Sequence, residues 1–363
     1  MKNTLGNQVT VTLFGESHGE MIGCVMDGLP AGIEIEETFI EKQMSKRKAV
    51  GSISTSRNED DVVNIVSGVY NGRTTGTPLT MTIINKKQQS KDYENMSAIA
   101  RPSHADYTAE IKYGGYQDYR GGGHFSGRLT APIVAAGSIA LKMLKSKNIE
   151  IGTHLLEVYG IRDDSFSGDI SQICSLNDKY FAVINDEVGQ QMIQEIEKAK
   201  VEKDSVGGIL ESLVIGLEAG IGEPTFDSLE GLLAHGLLSI GGIKGVEFGS
   251  GFELAKMRGS KANDSWVVDD GVIKTISNHS GGINGGISNG MPLLIRTVVK
   301  PTASISKLQN TVNFKTNENV QIEISGRHDP AIIHRARVVQ DSIIALVLVD
   351  VITARKGTEW WNK

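Results

Sequence analysis

The chain has 363 residues, a formal net charge of −6, 42 glycines and only two cysteines. That length corresponds to about two domains of chain, or to one large domain with a substantial core. The acidic balance excludes broad binding to nucleic acid or anionic membrane, because the summed field repels phosphate polymers, so any anion site has to be a local gathering of arginine and histidine.

Cys24 and Cys174 are too few and too far apart for a disulfide framework or a cysteine-rich zinc site, and they point to a reducing compartment. The first residues, MKNTLGNQVTVTLF, lack the apolar stretch of a signal peptide and alternate like a strand. Further alternating runs, VVNIVSGV, PLTMTII, LESLVIGL and PLLIRTVV, read as strands set off by glycine and proline. TFIEKQMSKRK predicts a helix opened by a capping box from Thr38 to Glu41, and DSLEGLLAHGLL predicts a second with Asp227 and Glu230. LTAPIVAAGSIALKMLKSK predicts a long helix from about Ala131, with Pro132 tolerated in its first turn. DEVGQQMIQEIEKAKVEKDS predicts a charged amphipathic helix with a solvated face.

The last long helix is expected to open at HDPAIIHRARVV, with Asp329 as N-cap and Pro330 at the first helical position. Its residues become almost continuously apolar after Val338, which predicts burial on more than one face. Asp350 interrupts the longest apolar run, and that run falls short of the ~20 residues a membrane-spanning helix needs. A soluble cytoplasmic protein is therefore expected. Strands and helices alternate irregularly and no linker or repeat divides the chain, which favours an α+β architecture over a doubly wound sheet.

Four loops carry the candidate polar residues, and three of them pair histidine or acid with arginine. RGGGHFSGRLTAP (120 to 132) places glycines between Arg120 and His124, then Ser126, Gly127 and Arg128. It fails as a Walker loop because Arg128 and Leu129 stand where Lys and Ser/Thr belong, and it fails as a GxGxxG fingerprint because Ser126 takes the last glycine's place. Two readings remain side by side: an anion-binding turn of open backbone N–H groups, and a glycine-rich turn with solvated arginines. FGESHGE sets Glu16, Ser17 and His18 directly after a strand, and RPSHADYT sets Arg101 and His104 in a turn fixed by Pro102. SGRHDPAIIHRAR gathers Arg327, His328, Asp329, His334, Arg335 and Arg337.

There is no HExxH, the eight histidines lack ligand spacing, and Ser17 is not central in a GxSxG elbow, so neither a metal nor a nucleophilic serine is indicated. The residues suggest acid–base work on a small, strongly anionic substrate held by arginine forks. LLSIGGIKGVEFGSGFE and SNHSGGINGGISNGMPLLIRTVVKPTASI are either plain hairpins or backbone shaped around a flat, phosphate-bearing cofactor.

Taken together, FGESHG, RPSHADYT, DYRGGGHFSGRLTAP, SIGGIKGVEFGSGF, SNHSGGINGGISNG, KPTASI and GRHDP resemble the chorismate synthase family in order and approximate spacing, over about residues 5 to 350. The resemblance implies one domain with a β-α-β sandwich, long helices packed between antiparallel sheets, and a homotetramer, with residues 355–363 left as an exposed tail. It implies anti-1,4-elimination of phosphate and a ring proton from 5-enolpyruvylshikimate 3-phosphate to give chorismate, the last step of the shikimate pathway. The resemblance also implies a requirement for reduced FMN (FMNH2), although the reaction is redox neutral. Carried over by motif, His18 lies near the reduced flavin, His104 faces the leaving phosphate, and Asp329 works with flavin N5 to take the ring proton. Arg47, Arg101, Arg128 and Arg327 resemble the substrate's anion-binding arginines.

The flavin would be met by His124, Phe125, Ser126, Gly241, Gly242, Gly285, Lys300, Pro301, Thr302, Ala303, Ser304 and Arg327. This chain departs from the pattern where a second arginine is common, with Ile53 near its place and Arg57 as a shifted substitute. It also has His124, Phe125 and Ser126 where Arg-Ser-Ser is frequent, and small residues at IGG (240 to 242). The absence of an NADPH fingerprint points to an external flavin reductase as the reductant's source. A non-catalytic phosphorylated-metabolite binding protein and a flavin reductase are the alternatives.

Overall fold

The computed structural model describes residues 3–49, 51–54, 61–86, 98–324 and 328–363. Two five-stranded antiparallel sheets dominate it. The first runs in the spatial order Thr4–Leu5, Thr10–Gly15, Met21–Asp27, Leu79–Ile84, Asn64–Ser67. The second runs Ile243–Phe248, Leu293–Val299, Gly208–Ile215, Glu150–Val158, Ile161–Arg162. Ile22, Cys24, Met26, Leu79, Met81 and Ile83 alternate onto one buried face of the first sheet, as a period of two requires.

Two helices fill the space between the sheets. Thr130–Lys145 packs on Met21–Asp27 and Leu79–Ile84, and Ile333–Lys356 packs on Glu150–Val158 and Gly208–Ile215. The two helices also pack on each other. Small residues allow this: a Cβ added at Gly137 would stand 2.2 Å from the Cβ of Ser342. Both helices are buried nearly all round, as their continuous apolar composition predicts. The sandwich of helices between antiparallel sheets is therefore the observed architecture.

Polar residues of the C-terminal helix are buried only with partners. Asp350 accepts backbone N–H bonds from Asn7 (3.0 Å), Gln8 (2.6 Å) and Val9 (2.9 Å), closing the turn before the second strand. Gln340 donates to Ser212 Oγ at 2.7 Å and accepts from Thr297 Oγ1 at 2.5 Å, tying the helix to the second sheet. The interruption by Asp350 thus anchors the helix to the chain's beginning.

Helix starts differ from the sequence expectation in three places. Glu36 precedes the Glu37–Ser45 helix without a side-chain cap bond, so the Thr38–Glu41 box is not used. Ser228, not Asp227, caps Leu229–Leu238, accepting from Gly231 N at 3.0 Å. The last helix begins at Ile333 with Ile332 at the cap, so Asp329 is not its N-cap and Pro330 is not its first residue. The reason is tertiary: Pro330 O accepts from Val206 N at 2.9 Å and the Asp329 carboxylate accepts from Arg335 Nη1 at 2.6 Å, which holds this segment across the helix end.

Arg355–Glu359 is exposed. Trp361, however, is buried, with its indole N–H donating to Thr353 Oγ1 at 2.8 Å, because the residues after Gly357 turn back on the C-terminal helix.

Candidate active site

The glycine-rich stretch packs against the loop that carries His18. Gly121, Gly122 and Gly123 have φ of 59°, 83° and 53°, values that residues with a Cβ adopt at a cost. A Cβ at Gly121 would stand 2.1 Å from both Cε1 and Nδ1 of His18, and one at Gly123 would stand 2.0 Å from Asp118 O. Ser17 N donates to Gly123 O at 3.1 Å. His124 Nδ1 lies 2.8 Å from Gly15 O, and since a carbonyl only accepts, that nitrogen carries the proton. Close approach to the buried His18 therefore accounts for Gly121, and close approach to the Asp118 carbonyl accounts for Gly123.

The two arginines of the same stretch part company. Arg120 forks onto Asp118 at 2.8 and 2.9 Å and stays well exposed. Arg128 is buried, donating through Nε to Asn85 Oδ1 at 3.0 Å and pairing through Nη1 with Asp61. Arg47 reaches the other oxygen of Asp61 at 2.9 Å and Thr130 Oγ1 at 3.0 Å. Burial lowers the Arg47 pKa to about 10, with Asp61 opposing the shift, which leaves it charged at neutral pH.

From Arg47 the polar contacts continue. Arg335 donates through Nε to Arg47 O at 2.7 Å and through Nη1 to Asp329. His328 follows, its pKa lowered by burial and by Arg101. Arg101 forks onto Asp106 at 2.9 and 2.7 Å. His104 Nε2 lies 2.8 Å from Ser304 Oγ, and Lys300 Nζ donates to Ser103 O at 2.8 Å. Lys300 N donates to Gly242 O at 2.9 Å, which brings in the turn of Gly241 and Gly242.

The structure thus gathers His18, His104, Asp329, Arg47, Arg101, Arg128, the 124–126 segment, Gly241, Gly242 and the 300–304 segment around one connected array. Gly285 lies elsewhere in the chain's own fold. Gly286 O accepts from the backbone N–H of Leu229, the first residue of a ten-residue helix whose far end precedes Gly241. That separates them by roughly 15 Å of helix. Arg327 and Arg57 fall outside the described residues. Ile53 is buried in the hydrophobic core, so it serves packing where a second arginine is common. Sequence reasoning missed Asp61 and Asn85. Asp61 stands in the acidic run NEDD, which reads as solvated surface, and only its pairing with two distant arginines reveals it.

Histidine charge is suppressed at His104, His328 and His334. Burial, helped by Arg101, lowers the His104 pKa to about 4, and burial with Arg335 and Arg337 lowers that of His334 to about 3. Folded pKa values below the unfolded ~6.5 mean that the unfolded chain binds more protons as pH falls through 6.5 toward 4, so stability is lost in that window. His154 acts in the opposite sense. Burial lowers its pKa, but Asp163 and Glu211 outweigh that and raise it, giving stability at low pH that is lost as pH rises. Melting curves between pH 6.5 and 4.5 should show a steep loss, shallower in His334→Gln by the share of one unprotonated histidine. An unchanged slope would refute the assignment for His334.

Comparison with known proteins addresses the same arrangement. The family model for chorismate synthase matches residues 9–353. The chain is 46% identical over 352 residues to the chorismate synthase of Methanobrevibacter smithii, covering 96% of each chain. It is 45% identical to that of Lachnospira eligens, covering 96% of this chain and 94% of the relative. A solved crystal structure of a chorismate synthase superposes with a TM-score of 0.76 at 26% identity, covering 97% of this chain and 94% of that one. Seven separated motifs, a helix layer between antiparallel sheets and near full-length similarity agree, and the chain belongs to the chorismate synthase family.

Proposed function

We propose that the protein converts 5-enolpyruvylshikimate 3-phosphate to chorismate, breaking the C–O bond to phosphate and a ring C–H bond in a 1,4-anti sense. The observation that carries this is the connected array itself. In a chain of net charge −6, Arg47, Arg101, Arg128, Arg335 and Lys300 are collected beside a neutral imidazole and a carboxylate. A substrate with two carboxylates and a phosphate supplies the charge that such a collection lacks.

His104 is uncharged before substrate arrives, because its pKa lies near 4. An arriving phosphate dianion raises that pKa, since an opposite charge favours the protonated imidazole. His104 can then hold a proton against the leaving phosphate, with Ser304 Oγ at 2.8 Å keeping the ring in place. Asp329, oriented by Arg335, takes the ring proton.

Reduced FMN fits the wall formed by residues 241–242 and 300–304. Thr302 Oγ1 is buried without a hydrogen-bond partner, and a Cβ at Gly241 would meet nothing within 4 Å. Lys300 adds a cation beside that opening. When bound, reduced flavin supplies electron density that eases loss of the allylic phosphate. His18, buried under Gly121, and the 124–126 segment are assigned to the same cofactor.

A homotetramer is the proposed assembly. Exposed apolar side chains on the Trp266–Asp269 and Val272–Thr275 hairpin, among them Val268 and Ile273, suit such an interface. Among the described residues no helix is long and apolar enough to cross a membrane, in keeping with a cytoplasmic location.

Anaerobic incubation with substrate and chemically reduced FMN tests the reaction. One phosphate should appear per chorismate. Release of neither would reject the proposal, and NADPH oxidation without chorismate would favour a flavin reductase. Turnover that needs an added reductase when NADPH is the sole reductant would support external supply of reduced flavin.

A further inference from the structure

Two arginines assigned to substrate from separate segments of the chain, Arg47 and Arg128, meet on one carboxylate. Asp61 gives Oδ2 to Arg47 Nη1 at 2.9 Å and Oδ1 to Arg128 Nη1. These side chains are only 8–9% exposed, so the contacts are not solvated surface pairs. Two buried guanidinium groups repel each other, and screening by solvent is weak at such burial. A carboxylate with one oxygen for each fork turns that repulsion into a fixed geometry. Asp61 also has φ of 43°, a left-handed conformation unfavourable for a residue with a side chain. Backbone strain of this kind persists where the surroundings hold a side chain in one place.

Each guanidinium is held at a second nitrogen as well. Arg47 Nη2 donates to Thr130 Oγ1 at 3.0 Å, at the start of the buried Thr130–Lys145 helix. Arg128 Nε donates to Asn85 Oδ1, whose amide nitrogen donates to Glu16 O at 3.1 Å and Gly19 O at 2.8 Å. Asp61 therefore joins an arginine fixed to the helix layer to an arginine fixed to the His18 loop.

We propose that Asp61 is a positioning residue that locks Arg47 and Arg128 into a single anion receptor of fixed fork separation, set relative to the His18 loop. This rests on the proposed function, in which those arginines receive the substrate's anionic groups. The trio keeps a net charge of one positive unit, enough to attract an anion. Replacing the carboxylate by an amide raises the local positive charge but turns an N–H pair toward one of the guanidiniums, so one fork is released. Positioning and simple charge masking consequently predict opposite changes in substrate affinity.

The test compares wild type, Asp61→Asn and Asp61→Glu in anaerobic steady-state kinetics with reduced FMN, alongside flavin titration and thermal melting. Loss of one charge-assisted, orienting contact should raise KM for the substrate about tenfold in Asp61→Asn with kcat changed less than about threefold. Flavin affinity should stay as in wild type, and Asp61→Glu, which keeps the carboxylate, should recover most of the KM. An unchanged or lower KM in Asp61→Asn overturns the proposal, the latter by showing that Asp61 masks the arginines. A KM rise accompanied by equal loss of flavin affinity and melting temperature overturns it as general structural damage.

Absence of turnover in wild type would strike the proposed function and leave Asp61 to a second measurement. Inorganic phosphate titrated calorimetrically into wild type and Asp61→Asn should bind about tenfold more weakly to the variant, and equal or tighter binding overturns the positioning role.

Discussion

Asp329→Asn is expected to lower kcat by about 10²- to 10⁴-fold, the range lost when a general base is removed, while flavin affinity and melting temperature stay close to wild type. The amide is isosteric and still accepts from Arg335, so the local shape persists. Helix capping does not confound the result, because Ile332 and not Asp329 stands at the start of the C-terminal helix. Had Asp329 been the cap, its loss would have cost about 1 kcal/mol and mixed folding with chemistry. Single-turnover chorismate formation under reduced FMN gives the answer, and turnover like wild type would remove Asp329 from proton transfer.

Gly121→Ala should be nearly as damaging, although the residue has no functional group. Its Cβ would stand 2.1 Å from two ring atoms of His18 and 3.0 Å from Ser17 Oγ. The buried imidazole cannot yield without shifting the loop, and a displacement of about 1 Å at a reacting site costs on the order of 10²-fold in rate. Gly122→Ala separates the two causes. Gly122 shares the positive φ, at 83°, but its Cβ would meet only Ser126 Cβ at 3.8 Å. Gly122→Ala should therefore lose about 1–2 kcal/mol of stability from strain while retaining much more turnover than Gly121→Ala. Equal kinetic loss in both would mean that backbone strain, and not contact with His18, governs the rate.

These two residues show what was legible in the chain and what was not. The histidine, arginine and aspartate motifs could be read as an anion site because three separate loops of an acidic chain set arginine beside histidine. That reading, with the family resemblance, pointed to most of the residues the fold connects. It could not distinguish Arg120, which forks onto neighbouring Asp118 at the surface, from Arg128, which is buried beneath Asp61 and Asn85. Nor could it assign Gly121, where contact with a histidine more than 100 residues away looks locally identical to contact with a ligand.

By itself, the sequence determined what depends on neighbours along the chain. Alternation set the main strands such as Thr10–Gly15 and Leu79–Ile84, and continuous small and apolar residues marked Thr130–Lys145 and Val338 onward as buried helix. The tertiary structure alone decided the cap residues, the burial of Trp361, the remoteness of Gly285 from Gly241 and the role of Asp61. Two of these turn on a partner distant in sequence, since Val206 holds Pro330 and Arg128 holds Asp61, and Trp361 is buried because the chain turns back so that its indole N–H reaches Thr353. Local pattern fixes a residue's backbone preference and which face it presents. Sheet register and helix packing then choose its partner, and in a low-dielectric interior the partner decides whether a charge is a surface ornament or part of the site.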